Sequence, residues 1–256
     1  MPQLIILFGL PGSGKTTLIK KIKKEFNINA PTILIDELVQ KDPLYKKEVD
    51  IILKKCKTKK CLDSPSISTY KQFESAYWKT RKYGCNMKKC VDSSGCDCLN
   101  DTHLKRAIKQ NKNIIFETSG TSLPDWLIKI LPGHYKVTYY VILLDINNLI
   151  QRSIHRAYNA FMLYKLDHKI APRLPRSDKK HLLKRMKTFH SLLLGLFKQK
   201  CNIILYDNIN LKKIYDRQVN EGQVNEGQVN EGQVNEGHVD KVNLSTLIAP
   251  YFKDNK

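Results

Sequence analysis

The stretch GLPGSGKTT, residues 9–17, directly follows the apolar run LIILF, residues 4–8. It matches the pattern G-x-x-x-x-G-K-[ST] at every fixed position. A continuous apolar run before a glycine-rich turn is typical of a strand that is covered on both faces. Apolar residues at helical spacing then predict a helix from Thr16 to about Phe26. This order of strand, glycine loop and helix predicts that residues 9–17 form a phosphate-binding loop.

The loop chemistry follows from its backbone. Glycines let the chain curl so that successive N–H groups point at phosphate oxygens, and the helix that follows presents its positive end to the same anion. We expect Lys15 to reach the β- and γ-phosphates of ATP and the Thr16 hydroxyl to hold Mg²⁺. The residues predicted to bind the nucleotide are Gly9, Leu10, Pro11, Gly12, Ser13, Gly14, Lys15, Thr16 and Thr17.

Strand and helix patterns alternate along the rest of the chain, which predicts an α/β fold with a parallel sheet of about five strands and flanking helices. The further predicted strands are 31–36, 113–118, 135–145 and 201–206, and the further predicted helices are 123–131, 147–166 and 178–200. We expect strand 31–36 to lie beside the strand that precedes the loop, and strand 201–206 to close the sheet. Ligands of such sheets bind beyond the carboxyl ends of the strands.

Several acidic and hydroxyl residues fall at those strand ends. Asp36 is our candidate for the base that accepts a proton from the acceptor, although an aspartate there is also a common helix N-cap. Glu117 and Thr118 are candidates to bind substrate, or Mg²⁺ through water, and a strand-end capping role is the alternative. Asp145 resembles the acid that follows a second apolar strand in many nucleotide-binding proteins, or it caps the next helix.

Cations for the transferring phosphoryl group are predicted in two places. Arg152 and Arg156 are four residues apart and therefore lie on one face of a helix. Arg173 and Arg176 lie in a proline-containing segment between two helices, where kinases commonly place a mobile lid. We predict that these four arginines contribute to phosphate binding.

The composition excludes several classes of protein. Of the 256 residues, 41% are hydrophobic and 27% are charged, which excludes global disorder and collagen-like structure. No apolar run reaches the roughly 18 residues that cross a bilayer, and the chain starts without a basic signal-peptide region, so we expect a soluble cytoplasmic protein. The net charge of +20 favours nucleic acid as a partner, although a lysine excess is also typical of AT-rich coding sequences.

Residues 41–110 form a long insertion that contains six of the seven cysteines. One interpretation is a structural zinc site at Cys85, Cys90, Cys96 and Cys98. Disulfides and free thiols are the alternatives, because none of the spacings is the common C-x2-C. In the same insertion Tyr70, Phe73, Tyr77 and Trp78 have helical spacing, which fits either a surface that stacks on bases or the core face of a helix.

The sequence Gln218-Val219-Asn220-Glu221-Gly222 is repeated four times, up to Gly237. Five residues fit no helical period, so we interpret residues 218–237 as a flexible linker. It separates a predicted domain at 1–217 from a C-terminal segment at 238–256.

These features together resemble a known family. The glycine loop, Asp36, the pair Glu117-Thr118 and the spacing of Arg152 and Arg156 resemble zeta-toxin-like P-loop kinases, and the loop with Asp36 is also similar to 5′-polynucleotide kinases. The resemblance covers residues 1–40 and 111–207. It implies that Lys15 and Thr16 bind ATP and Mg²⁺, that Asp36 is the acceptor base, and that Arg152 or Arg156 faces the phosphates. Both groups usually place an arginine soon after the aspartate, and this chain lacks it.

Three functions are compatible with the sequence. The first is an ATP- and Mg²⁺-dependent kinase that phosphorylates a hydroxyl of a nucleotide, a nucleotide-sugar or another small acceptor. The second is a 5′-polynucleotide kinase acting on DNA or RNA ends. The third is a non-catalytic NTP-binding module that binds nucleic acid or protein.

Overall fold

The computed structural model describes residues 1–25, 32–55, 67–83, 98–173, 179–220, 223–225 and 244–252. The strands within these ranges are β1 (Gln3–Phe8), β2 (Thr32–Ile33), β3 (Ile114–Glu117), β4 (Lys136–Leu143), β5 (Asn202–Asp207), β6 (Lys212–Asn220) and β7 (Gln223–Asn225). The helices are α1 (Lys15–Glu25), α2 (Ile35–Lys41), α3 (Pro43–Lys55), α4 (Ile67–Lys82), α5 (Cys98–Lys109), α6 (Asp125–Ile130), α7 (Ile146–Asp167), α8 (Lys179–Phe197) and α9 (Leu244–Phe252).

The sheet has the order β2-β3-β1-β4-β5-β6-β7, and its first five strands are parallel. The predicted position of the second strand is wrong, because β3 and not β2 pairs with β1. The second strand is also shorter than predicted: the chain leaves it after Ile33, and Asp36 belongs to the first turn of α2.

Side-chain alternation along β1 explains the burial of both sheet faces. Leu4, Ile6 and Phe8 belong to a core beneath α5, α6, α8 and α9, whereas Ile5 and Leu7 belong to a second core beneath α1. Successive residues of a strand point to opposite faces, so a run of apolar residues is the pattern that a strand covered on both sides requires. Phe8 shows how tightly the larger face is packed, since its ring centroid lies 4.9 Å from that of Phe189 in α8.

The strand β5 does not close the sheet, contrary to the sequence prediction. β6 adds to it in antiparallel orientation, with Ile204 opposite Asp216. Arg217 of β6 then donates to the carbonyl oxygens of Phe197, Gln199 and Cys201 at 2.8, 2.8 and 3.1 Å. These carbonyls belong to the end of α8 and the turn after it, where intrahelical partners are lacking.

The first two repeat units differ from the predicted linker. Val219 in β6 pairs with Val224 in β7, and Gln218 and Asn220 pair with Asn225 and Gln223. Residues 218–220 and 223–225 therefore pair as antiparallel strands at the edge of the sheet. The repeat beyond Asn225 lies outside the described residues.

The described part of the insertion has an apolar cluster of its own. It contains Tyr45, Val49 and Ile52 of α3, Phe73, Ala76 and Tyr77 of α4, and Phe161 and Tyr164 of α7. The aromatic face of the insertion, formed by Tyr70, Phe73, Tyr77 and Trp78, is therefore mostly a core face. Of these four residues only Trp78 is exposed, at 43%.

None of the helices in the described ranges combines the length and the apolar character that a membrane span needs.

Candidate functional site

The glycine loop turns tightly into α1. Ser13 N donates to Leu10 O at 3.0 Å, and the backbone N–H groups of Thr17 and Leu18 both donate to Gly14 O. Gly14 has a φ of +91°, a conformation that side chains other than glycine rarely adopt. The helix therefore begins at Lys15, with the N–H groups of its first turn at the loop.

Two residues hold the loop from behind. Asn208 follows β5, donates its backbone N–H to Leu143 O at 3.1 Å, and donates its side-chain amide to Ser13 O. Gly120 follows β3 with a φ of +70°, and a Cβ at this position would lie 2.9 Å from the backbone of Gly9. The residues after β3 and β5 thus support the loop, Gly120 by close backbone packing and Asn208 by a side-chain hydrogen bond.

Lys15 lies inside this arrangement with 5% of its surface exposed. Its ammonium group donates to Gly9 O at 2.7 Å and to Leu10 O at 2.9 Å, and it lies 3.3 Å from Glu117 Oε1 at the end of β3. Burial lowers the pKa of Lys15 below its usual value, although Glu117 and Asp36 act in the opposite direction. Burial likewise raises the pKa of Glu117, against the charge of Lys15.

Asp36 lies in the first turn of α2. Its Oδ1 accepts a hydrogen bond from Tyr77 Oη at 2.9 Å, and its Oδ2 pairs with the Arg173 guanidinium. The helix N-cap is Leu34, without a side-chain hydrogen bond, so the capping interpretation of Asp36 is wrong. Burial raises the pKa of Asp36, but Arg173, Tyr77 and Arg156 outweigh it and bring that pKa below its ordinary value. Asp36 is therefore ionised at neutral pH.

Arg173 is supplied by a short segment that is bound to α2 and α3. Ala171 N donates to Gln40 O, and Gln40 Nε2 donates back to Ala171 O, both at 3.0 Å. Tyr45 Oη donates to Pro172 O at 3.1 Å. The backbone just before Arg173 is thus fixed, and the guanidinium also lies over the Tyr77 ring, 4.3 Å from its centroid.

The other predicted arginines lie in different positions. Arg156 of α7 is exposed, yet its charge contributes to the pKa of Lys15, Asp36 and Glu117. Arg152 is exposed one turn earlier, and none of the described contacts joins it to those three residues. Arg176 lies outside the described residues.

Arg185 of α8 is a further cation of the site that the sequence did not indicate. Burial lowers its pKa, and the charge of Arg173 acts in the same direction. Asp36 and Glu74 act on it in the opposite direction, so the α8 side chain lies within electrostatic reach of both carboxylates.

Two strand-end candidates have structural contacts. Thr118 Oγ1 donates to Leu7 O at 3.3 Å and accepts from Gly120 N at 3.3 Å, which supports the strand-end alternative. Asp145 is the N-cap of α7 and accepts from the backbone N–H groups of Asn147 and Asn148, both at 3.0 Å. Of the two interpretations of Asp145, the structure therefore supports the helix cap.

The residues of the loop fit a nucleotide and its metal ion. Ser13 Oγ is buried and has no hydrogen-bond partner among the described residues, and the exposed Thr16 begins α1 beside Lys15. A hydroxyl is the ligand that such loops offer to Mg²⁺. The zinc interpretation gains no support: within the described ranges no group of three or more His, Cys, Asp or Glu side chains could hold a metal ion. Cys85, Cys90 and Cys96, with the side chain of Cys98, lie outside the described residues.

Sequence patterns contained signals for some of the residues that were missed. Asn208 and Gly120 each follow a buried strand, and the rule that ligand sites lie at the carboxyl ends of strands applies to both. Tyr77 was visible only as part of an aromatic face, and Arg185 is one cation among many on an amphipathic helix. Only the packing of α4 and α8 separates these two residues from their neighbours.

The comparisons with known proteins bear on the fold. A structure from the PezAT chromosomal toxin–antitoxin system of Streptococcus pneumoniae, a human pathogen, is 16% identical with a TM-score of 0.50, and the match covers 84% of this chain and 72% of that chain. A putative kinase from Chloroflexus aurantiacus is 14% identical with a TM-score of 0.37, covering 70% and 76%. Deoxyadenosine kinase from M. mycoides with bound dATP is 16% identical with a TM-score of 0.34, covering 80% and 91%. No family model and no curated protein match the chain.

The likeness to the pneumococcal structure extends over most of both chains. At this level of identity it shows the fold alone. The predicted α/β fold with a mostly parallel sheet and flanking helices is confirmed, and the resemblance predicted from the sequence holds at the level of the fold.

Proposed function

We propose that this protein is an ATP- and Mg²⁺-dependent phosphotransferase that phosphorylates a hydroxyl group of a small anionic acceptor, such as a nucleotide or nucleotide-sugar. One observation carries the proposal. The glycine loop places the buried ammonium group of Lys15 at 3.3 Å from Glu117, and the carboxylate of Asp36, which pairs with Arg173, lies within electrostatic reach of that ammonium group and acts to raise its pKa against the effect of burial.

On the nucleotide side, the loop backbone and Lys15 bind the phosphates of ATP. Lys15 is held by two carbonyl oxygens and by Glu117, so its ammonium group is oriented before the nucleotide arrives. The Thr16 hydroxyl is the group that would hold Mg²⁺. When bound, this ion would neutralise charge on the β- and γ-phosphates. Arg156, with Arg152 as a further candidate, lies on α7 to stabilise the transferring phosphoryl group.

On the acceptor side, Asp36 accepts the proton of the acceptor hydroxyl. The acceptor oxygen forms a bond to the γ-phosphorus, the bond between that phosphorus and the β,γ-bridging oxygen breaks, and ADP leaves with the electron pair. The low pKa of Asp36 makes it a weak base, which suits a loose transition state in which positioning contributes more than proton abstraction.

The charges near Asp36 indicate the acceptor class. Arg173 and Arg185 both lie within electrostatic reach of the carboxylate, and Arg81 donates to the hydroxyl oxygen of Tyr77 at 3.3 Å. The carboxylate of Glu74 also acts on Arg185, while the carboxylate of Asp36 is already paired with Arg173. An acceptor that carries its own phosphate would bind the guanidinium groups of Arg173 and Arg185 through charge-assisted hydrogen bonds.

A second candidate function is the 5′-polynucleotide kinase. The observation that favours it is a surface groove on α8, which is lined by Lys179, Lys180, Lys184 and Lys187 together with Leu183. The helix contains no acidic residue, and cations near a helix N-terminus oppose its dipole. A row of lysines at such a position favours binding of a polyanion.

The test is transfer of label from γ-labelled ATP in the presence of Mg²⁺. The acceptors are nucleosides, nucleotides, UDP-sugars, and 5′-hydroxyl DNA and RNA, with Lys15→Ala and Asp36→Asn as control variants. We expect label on a nucleotide or nucleotide-sugar and little on uncharged nucleosides. Label confined to oligonucleotide ends would support the second function. ATP binding without transfer to any acceptor would contradict both and favour a non-catalytic binding module.

A further inference from the structure

The insertion helix α4 reaches the proposed acceptor site through Tyr77. The side chain is 5% exposed, and its hydroxyl donates to Asp36 Oδ1 at 2.9 Å. The phosphoryl-transfer step as proposed assigns α4 no role, because the phosphate loop, Asp36 and Arg156 come from other elements. The hydrogen bond nevertheless joins α4 to the one carboxylate that the reaction uses.

The direction of this hydrogen bond is fixed by its neighbours. Arg81 Nη1 donates to Tyr77 Oη at 3.3 Å, and a guanidinium has no acceptor to offer in return. The single proton of the hydroxyl therefore belongs to the bond with Asp36. Burial and the Asp36 charge raise the pKa of Tyr77 further above neutrality, which keeps that proton in place.

The Tyr77 ring is as firmly placed as its hydroxyl. It belongs to the apolar cluster of the insertion, with Phe73 and Ala76 of the same helix. The guanidinium carbons of Arg173 and Arg81 lie 4.3 and 5.3 Å from the ring centroid. A ring held in this way gives its hydroxyl little freedom to turn from the carboxylate.

The two oxygens of Asp36 differ in their partners. Oδ1 is bound by Tyr77, and Oδ2 is paired with Arg173. An acceptor hydroxyl must donate its proton to a carboxylate oxygen, and Oδ2, which can accept a second hydrogen bond beside that from Arg173, is the oxygen that Tyr77 does not bind. When the hydroxyl binds Oδ2, Tyr77 still holds Oδ1.

We propose that Tyr77 is the positioning residue of the acceptor site, and that its hydrogen bond to Oδ1 keeps Oδ2 of Asp36 directed at the acceptor hydroxyl. This inference rests on the proposed function. It gives the insertion a role in the reaction through a residue that need not touch the substrate.

The chain offers a matched control. Tyr164 is also buried in the apolar cluster of the insertion, and its hydroxyl donates to Asp50 Oδ1 at 2.8 Å. The substitution Tyr164→Phe removes the same kind of bond from the same cluster without touching Asp36. A purely structural effect of losing a tyrosine hydroxyl should appear in both variants.

The kinetic test compares Tyr77→Phe with Tyr164→Phe on the acceptor that the label assay identifies. We expect Tyr77→Phe to lower kcat about tenfold or more with an unchanged KM for ATP, because the base loses its orientation. The acid limb of its pH profile should move to higher pH, since one of the groups that lower the pKa of Asp36 is gone. Tyr164→Phe should keep kcat and the profile. Wild-type kinetics in Tyr77→Phe, or equal losses in both variants, would overturn the proposal.

A spectroscopic test is independent of the acceptor. Protein labelled with ¹³C at tyrosine Cζ should show slowly exchanging hydroxyl protons for Tyr77 and Tyr164, each assigned by loss in its phenylalanine variant. Asp36→Asn should move the Tyr77 signal and leave the Tyr164 signal in place. A Tyr77 signal that does not respond to Asp36→Asn overturns the proposal. A response in a protein that transfers phosphate to no acceptor would count against the proposed function, while the link between Tyr77 and Asp36 stands.

Discussion

The two walls of the candidate site are built in different ways. The proposed nucleotide wall is a continuous stretch, residues 9–17, whose turn depends on its own glycines and on a helix that starts within it, with Gly120 and Asn208 packed behind it. The acceptor wall joins Asp36, Tyr77 and Arg173, which are separated by 41 and 96 positions in the chain. A contiguous motif carries its geometry in local backbone preferences, whereas an assembled wall depends on how distant helices pack. Substitutions in the nucleotide wall should therefore weaken ATP binding, whereas substitutions in the acceptor wall should slow transfer and leave ATP binding intact.

The largest effect is expected on the nucleotide wall. Lys15→Ala should lower transfer about 10³-fold and weaken ATP binding, because a preorganised cation is lost where phosphate charge develops. The substitution also leaves Glu117 buried without its partner. The measurement is single-turnover transfer alongside calorimetric ATP binding. Undiminished ATP affinity in Lys15→Ala would break the assignment of this wall to the nucleotide.

The acceptor wall should respond differently. Asp36→Asn is expected to reduce kcat about 10²-fold with ATP affinity retained, since the amide accepts no proton from the acceptor hydroxyl. The same two assays apply, with unfolding curves to show that the variant is folded. A parallel loss of ATP binding would show that the two walls are not separable.

The next largest effect is expected at Gly120, which packs behind the glycine loop. Gly120→Ala places a Cβ against the Gly9 backbone at a φ of +70° and should lower the free energy of unfolding by about 1–3 kcal/mol. Gly195→Ala is the control: its site in α8 has open space for a Cβ, so alanine should stabilise the helix by about 0.5–1 kcal/mol. Chemical denaturation measures both. Equal stability of the two variants would mean that the contact with Gly9 does not hold the loop.

The smallest effect concerns pH. The pKa of Asp36 is below its unfolded value, so its ionised form stabilises the fold above about pH 4. That contribution is lost as the pH falls through the lowered pKa. The difference in unfolding free energy between the wild type and Asp36→Asn should therefore shrink toward pH 3, as followed by denaturation at several pH values. A constant difference would show that the pairing of Asp36 with Arg173 contributes no stability through its charge.

Sequence patterns were informative where a signal was local. The run at residues 4–8 predicted a strand buried on both faces, and the structure confirms it because alternate residues enter two separate cores. The predicted cap at Asp145 is found for a similar reason, since a cap depends only on the following turn. Asp36 was singled out by its position after a strand, although the strand ends at Ile33 and the residue lies in a helix.

Signals that depend on neighbours in space were missed or misplaced. Strand order was wrong at β2, because apolar patterns show that a strand is buried and not which strand lies beside it. Arg185 and Tyr77 have sequence surroundings no different from those of other cations and aromatic residues in their helices. The repeat was interpreted as a linker, yet its residues 218–220 extend β6 and pair with residues 223–225.

The sequence alone therefore determined the glycine loop between a strand and a helix, the α/β alternation and the identity of the residue proposed as base. These follow from interactions over a few residues: backbone conformation, hydrophobic periodicity and the positive end of a helix. Only the tertiary structure decided what surrounds Asp36. The hydrogen bond from Tyr77 and the charge of Arg173 come from α4 and from the segment after α7, which the apolar cluster of the insertion brings together. The hydrophobic effect that buries this cluster has no preferred direction. No local sequence pattern therefore specifies which side chains the packing of the cluster places beside the carboxylate.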